Sequence, residues 1–181
     1  MYVCVEFKLK IVRKLNILKA ILDFFWFFTI IGAVGSVIFL LFYLFGSIVD
    51  IPIKIKGQEI TTYTFLSKTI VFVNVVGSYL FLYSIYLLRK VVGLFQKREI
   101  FNEEVVRSFS LIGQLIIISS LISNVSLFIY KIVEKGQVYL TLDLGSYDSF
   151  LISISLGLFF MVISTIFKIA TNLKKENDLT I

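Results

Sequence analysis

Leu94-Phe95-Gln96-Lys97-Arg98-Glu99-Ile100-Phe101-Asn102-Glu103-Glu104-Val105-Val106-Arg107-Ser108-Phe109-Ser110-Leu111-Ile112-Gly113 is a polar break between two apolar runs, and its reading decides the fold. Asn102 followed by Glu103 and Glu104 predicts an N-cap with acids in the first helical turn, where backbone N–H groups are unpaired and the helix dipole favours negative charge. Phe101, just before the cap, is placed to pack on Val106 as a hydrophobic staple does. The new helix therefore begins about two turns before the apolar run that opens at Phe109. Adjacent acids at a helix start read as caps, and no catalytic role is assigned to them.

Outward from this connector lie four apolar runs, Phe24 to Val49, Ile70 to Leu88, Phe109 to Tyr130 and Phe150 to Phe167, and none contains Asp, Glu, Lys or Arg. Crossing a hydrocarbon core of about 30 Å takes roughly 20 helical residues. Mean hydropathy is +0.94 and 58% of the 181 residues are hydrophobic, well above the share in an ordinary soluble domain. Phe24, Phe25 and Trp26 open the first run and Tyr43 lies near its far end, as aromatic residues do at headgroup depth. The sequence thus predicts an all-α membrane protein, a single domain of four transmembrane helices in an up-down bundle, with a basic leader over 1–23 and a tail over 168–181.

Lysine and arginine set the orientation. Leader, connector and chain end hold thirteen of them (Lys8, Lys10, Arg13, Lys14, Lys19; Arg89, Lys90, Lys97, Arg98, Arg107; Lys168, Lys174, Lys175), whereas the other two loops hold five (Lys54, Lys56, Lys68, Lys131, Lys135). That asymmetry places both termini on the cytoplasmic side, and an even number of spans requires them to share a side. In the leader, Ile11, Leu15, Leu18 and Leu22 fall at helical spacing, which predicts a helix from about Ile11 that approaches the membrane surface with its lysines wet. Positive charge before an apolar run also suits a signal peptide, but the first run is too long for one and shows no clear small-residue cleavage site, so a retained span is expected.

The outer loops alternate apolar and polar residues at Ile51 to Lys56 and at Val138 to Leu144, bounded by Gly57, Gly136 and Gly145. They are expected to form a short β pairing. Within the spans, small and polar residues gather on one arc per helix: Gly32, Gly35, Ser36 and Gly46; Asn74, Gly77, Ser78 and Ser84; a broader arc from Gly113 through Ser119, Ser120, Ser123, Asn124 and Ser126; and Ser153, Gly157 and Ser164. Such arcs let helices approach closely and hydrogen-bond, at about 0.6 kcal/mol per bond. The alternative is that Asn74, Asn124 and the serines line a pore or polar pocket.

Several chemistries lack their residues. There is no histidine, Cys4 is the single cysteine, and the spans carry no charge of the kind that coupled carriers and voltage sensors use. No phosphate-binding glycine loop or nucleophile elbow is present. The chain is therefore expected to be non-enzymatic, with no cofactor and no metal. Most of its net charge of +6 falls where anionic lipid accounts for it, so direct nucleic-acid binding is not expected.

The chain end, Glu176-Asn177-Asp178-Leu179-Thr180-Ile181, follows a fourth helix expected to reach about Lys175, and its apolar residues suggest docking beside the connector, with Glu176 or Asp178 near Arg98 or Arg107. Ile100 to Val105, the following Ile112-Gly113 and this ending resemble the bacterial domain-of-unknown-function family twenty-nine seventy-five. Its members are four-helix membrane proteins with a Phe-Ser/Thr/Asn-x-Glu connector and an acidic tail ending Leu-Thr-Ile or Leu-Thr-Val. Ile100 stands where proline is common in the family, and the leader is longer. The resemblance implies a bacterial inner-membrane protein with no established activity, and a small helix-turn-helix regulator as partner besides the lipid bilayer. Phe101, Asn102, Glu103, Glu104, Asp178, Leu179, Thr180 and Ile181 are the candidate partner-binding residues of a regulatory or scaffolding protein; the alternative is a passive transport or small-molecule/lipid-binding bundle.

Overall fold

The structure is a computed structural model that describes residues 2–45, 53–55, 58–60, 64–135 and 150–179, with side chains over 13–43, 64–133 and 150–179. Four helices, α1 (Tyr2–Phe45), α2 (Phe65–Gln96), α3 (Glu103–Lys135) and α4 (Phe150–Leu179), run up and down beside one another, each long and apolar enough to cross a membrane. Between α1 and α2 sits a hairpin of β1 (Ile53–Ile55) and β2 (Gln58–Ile60), with Ile53 opposite Ile60 and Ile55 opposite Gln58. The alternating segment at 51–56 thus finds its strand partner within its own loop. A closure this short costs far less chain entropy than pairing with a segment some eighty residues away. The other expected strand, at 138–144, lies outside the described residues.

The helices are not held equally. α2 buries one stripe, including Ser67, Ile70, Asn74, Gly77, Ser84, Leu87 and Val91, against α3. In the first third of α2 the Asn74 amide donates to the Ser126 hydroxyl (2.8 Å) and to the Ile70 carbonyl (2.9 Å). α3 carries two separate contact faces, which explains its broad arc of small residues: one turns Ser119, Ser123 and Ser126 to α2, the other turns Gly113 and Ile117 to α4. There the backbones touch. A Cβ on Gly113 would lie 2.5 Å from the Gly157 carbonyl oxygen, and one on Gly157 would lie 2.8 Å from the Gly113 carbonyl oxygen. The same proximity lets the Ser164 hydroxyl donate to the Val106 carbonyl at 2.8 Å.

α1 rests on α2, and toward its end Tyr43 shares a buried cluster with Ile70 and Val71 of α2 and Tyr130 of α3. Apart from Asp23, which pairs with Arg89, the less exposed residues of α1 step along the helix as Leu15, Lys19, Leu22, Trp26, Thr29, Ala33, Ser36, Leu40 and Tyr43, alternating four and three. This 3.5-residue period is a coiled-coil seam. α2 answers with Tyr79, whose hydroxyl donates to the Ala33 carbonyl (2.6 Å), with Tyr86 against Trp26 at 5.5 Å between ring centroids, and with Gln96, whose amide donates to Asn16 (2.9 Å). Of the small arc expected on α1, Ser36 lies on the seam, 3.1 Å from the Tyr79 hydroxyl. Gly32 and Gly35 lie off it, with nothing within 4 Å of where a Cβ would stand. The reason is that α1 meets α2 along a narrow stripe, and both glycines fall on one flank of it, each a residue before a seam position.

Two further boundaries differ from expectation. The helix expected from about Ile11 starts at Tyr2 and passes unbroken into the span, so the leader continues the membrane helix instead of turning along the surface. α4 runs one turn beyond Lys175, to Leu179.

The contrast between glycines yields a direct prediction. Gly113→Ala and Gly157→Ala should destabilise the fold by about 1–3 kcal/mol, because backbone cannot yield as a side chain can. Gly32→Ala and Gly35→Ala should be neutral or stabilising by up to about 1 kcal/mol through helix propensity. Thermal unfolding of the four variants in one detergent measures this, and equal effects at all four positions would refute the described α3–α4 contact.

Candidate functional site

The site is the charged end of the molecule, where the connector between α2 and α3 meets the end of α4. Local bonds set its shape. α2 closes with Glu99 N–H donating to the Leu94 carbonyl (3.0 Å) and Arg98 N–H donating to the Phe95 carbonyl (3.1 Å), the paired bonds of a Schellman stop. Arg98 is at φ 65°, the one described non-glycine residue with positive φ. α3 then starts from Asn102, whose side-chain oxygen accepts from the Glu104 N–H at 3.0 Å while its carbonyl accepts from Val105 N–H at 3.0 Å.

With the cap made by Asn102, the two glutamates are released to reach sideways in opposite directions. Glu104 pairs with Lys90 on α2, and Glu103 pairs with Lys175 on α4. A third ion pair, Asp23 with Arg89, joins α1 to α2 at the same end. Each consecutive pair of helices is thereby clipped once. Pairs this exposed contribute little energy apiece, so their weight lies in fixing which groups face one another. The Lys175 ammonium beside Glu103 holds its carboxyl below the usual carboxylate range, through a hydrogen bond first and charge attraction second.

Phe101 is 47% exposed, and the Lys174 ammonium stands 5.7 Å from the centre of its ring, a cation–π distance. Beneath these contacts Phe109 stacks between Phe160 and Phe167, with centroids at 6.1 and 5.4 Å, and anchors the α4 end on the core. A cleft of about 460 Å³ remains between connector and helix, lined by Arg98, Glu99, Phe101, Asn102, Glu103, Thr171, Lys174 and Lys175. No group of three or more His, Cys, Asp or Glu side chains that could hold a metal occurs among the described residues.

Of the sequence candidates, Phe101, Asn102 and Glu103 line this cleft, and Glu104 faces the other way, toward α2. Asp178 and Leu179 lie on the exposed last turn of α4, Leu179 at 86%; Thr180 and Ile181 lie outside the described residues. The reach from the chain end to the connector is made by Lys174 and Lys175, one turn earlier than the acidic residues that the sequence pointed to. Sequence reasoning placed Arg98 in the connector as a partner for the tail acids, and missed that Lys174 and Lys175 make the contacts of α4 with the connector and that Asp23 pairs with Arg89 at this end. Asp23 and Arg89 did carry a signal: each abuts an apolar run at the same membrane border, so they meet once the first two helices are antiparallel.

The arrangement defines a multi-pass membrane protein with four spanning helices and a polar end built from connector and α4. The chain matches the model of DUF2975, a family of proteins of unknown function, over residues 12–181, and belongs to that family. No curated protein and no solved structure gives a match.

Because the folded-state pKa of Glu103 is lowered, its pairing supports the fold above the ordinary glutamate range and is lost as pH falls through the lowered value. Spin labels at Lys97→Cys and Leu179→Cys should keep one distance at neutral pH and give a broader, longer one only once the pH has fallen below the ordinary glutamate range. Lys175→Gln should show the broad distribution throughout. A distance insensitive to both changes would mean that this pair does not hold α4 to the connector.

Proposed function

We infer that the chain is a non-enzymatic protein of the bacterial cytoplasmic membrane, with both termini in the cytoplasm, that docks a soluble regulatory partner on the surface formed by its connector and the end of α4. The observation that carries this reading is that Glu103 and Lys175, 72 residues apart in the chain, are paired across that surface. The exposed Phe101 beside them supplies an aromatic contact of the kind that anchors interfaces. The thirteen lysines and arginines at this end, against five at the other, support a cytoplasmic placement. The family resemblance supports a small helix-turn-helix regulator as the partner and a regulatory or scaffolding role. A passive transport or lipid-binding bundle draws less support, since the amide nitrogen of Asn74 is bonded within the α2–α3 interface and that of Asn124 to the Ser120 carbonyl (2.7 Å) of its own helix.

Purification from the native membrane in mild detergent tests the reading. An identified DNA-binding protein should accompany the intact chain, be lost on deletion of Asp178 to Ile181 or in Phe101→Ala, and persist in Asn74→Leu and Asn124→Leu. Retention that follows the asparagines and ignores the connector would overturn the docking surface and favour the bundle reading.

A further inference from the structure

We propose that the cleft between the connector and the end of α4 binds a phosphate-type oxyanion, with Arg98 as the anchoring cation. This rests on the surface described above as a docking site, but it requires no protein partner. The backbone at Arg98 supplies the first argument. Position C′ of a Schellman stop is left-handed, and glycine takes that conformation freely whereas an L side chain meets its own carbonyl oxygen. The turn therefore carries a guanidinium at the position where glycine would fit best. Strain of this kind, where it persists, points toward a use for the side chain.

The second argument is the state of the charges. Three cations and two carboxylates line the cleft, leaving one net positive charge. Lys175 is engaged by Glu103, and Lys174 stands over the Phe101 ring. The guanidinium of Arg98 has neither an ion pair nor a hydrogen bond among the described residues. Its planar fork of donors matches two oxygens of one phosphate. Asn102 has spent its side-chain oxygen on the α3 cap, which leaves its amide N–H groups for a ligand oxygen. Glu99, also in the lining, opposes the anion and limits the site to one that Arg98 can dominate.

Size and depth narrow the ligand. The cleft, about 460 Å³ and open to solvent on one side, has room for a small ligand, and the Phe101 ring offers a flat wall to an organic portion. α2 continues eight residues past Leu88 to Gln96, about 12 Å, while the headgroup layer adds roughly 5–8 Å on each side of the hydrocarbon. The cleft thus opens in water beyond the headgroups, which favours a soluble phosphate compound over a lipid.

The test uses the full chain in phosphate-free detergent, titrated with inorganic pyrophosphate by calorimetry, with the melting temperature followed in parallel. Wild type should bind. Arg98→Gly should melt at the same temperature or higher without ligand, because its turn is relieved, yet bind about ten-fold or more weakly; Lys97→Gln, one residue away and outside the lining, should bind as wild type. A second arm compares nanodiscs with and without phosphatidylglycerol. Stabilisation by that lipid, dependent on Arg98 and with no pyrophosphate binding, would support the oxyanion site and assign it to a headgroup. Wild-type affinity in Arg98→Gly, or no Arg98-dependent effect of either probe, would overturn the proposal. Loss of partner retention with anion binding intact would instead fault the docking surface alone.

Discussion

The contact on which the rest of the molecule depends is backbone against backbone, Gly113 on Gly157. Inside a bilayer, apolar side chains gain nothing by leaving lipid for one another, so helices adhere through close van der Waals contact and hydrogen bonds. Two glycines facing each other bring α3 and α4 near enough for Ser164 to reach the Val106 carbonyl. Further along the same interface, Phe109 is held between Phe160 and Phe167. The line continues to the membrane border and beyond it, where Lys175 meets Glu103. The cleft at the charged end is therefore positioned by a contact deep in the span.

α1 follows a different logic. It meets α2 along a heptad-spaced seam, and from Phe24 to Phe42 its exposed surface is mostly aliphatic and aromatic side chains suited to lipid. Two of its polar links to α2, Asp23 to Arg89 and Asn16 to Gln96, lie at the charged end. Within the span Tyr79 bonds to the Ala33 carbonyl, with the Ser36 hydroxyl beside it. A helix held this way is fixed in register by few groups, whereas α2, α3 and α4 interlock through a stripe of buried side chains and the glycine contact.

The charged end combines these two modes. One short connector must stop α2, reverse the chain and start α3, and it does so with Arg98 in a left-handed turn and Asn102 as the cap. Because the cap is an uncharged side chain, both carboxylates that follow are available for neighbouring helices. Substituting either glutamate would thus disturb inter-helix geometry more than helix initiation.

Much of this was determined by sequence alone, for a physical reason. Hydrocarbon demands long uncharged helices, so four apolar runs specify four spans, and Asn102-Glu103-Glu104 specifies where the third begins. These are local or one-dimensional constraints, legible without knowing any neighbour. The partners of Glu103 and Glu104, the left-handed turn at Arg98 and the idle glycines of α1 were decided by tertiary structure. Small-residue arcs on Gly35 and Gly113 look alike in a helical projection, yet only a second helix at the right angle makes one of them a contact. Likewise Lys174 and Lys175 joined the site because α4 comes down beside the connector. That placement is set by the meeting of two glycines within the span, and nothing in the charged residues themselves encodes it.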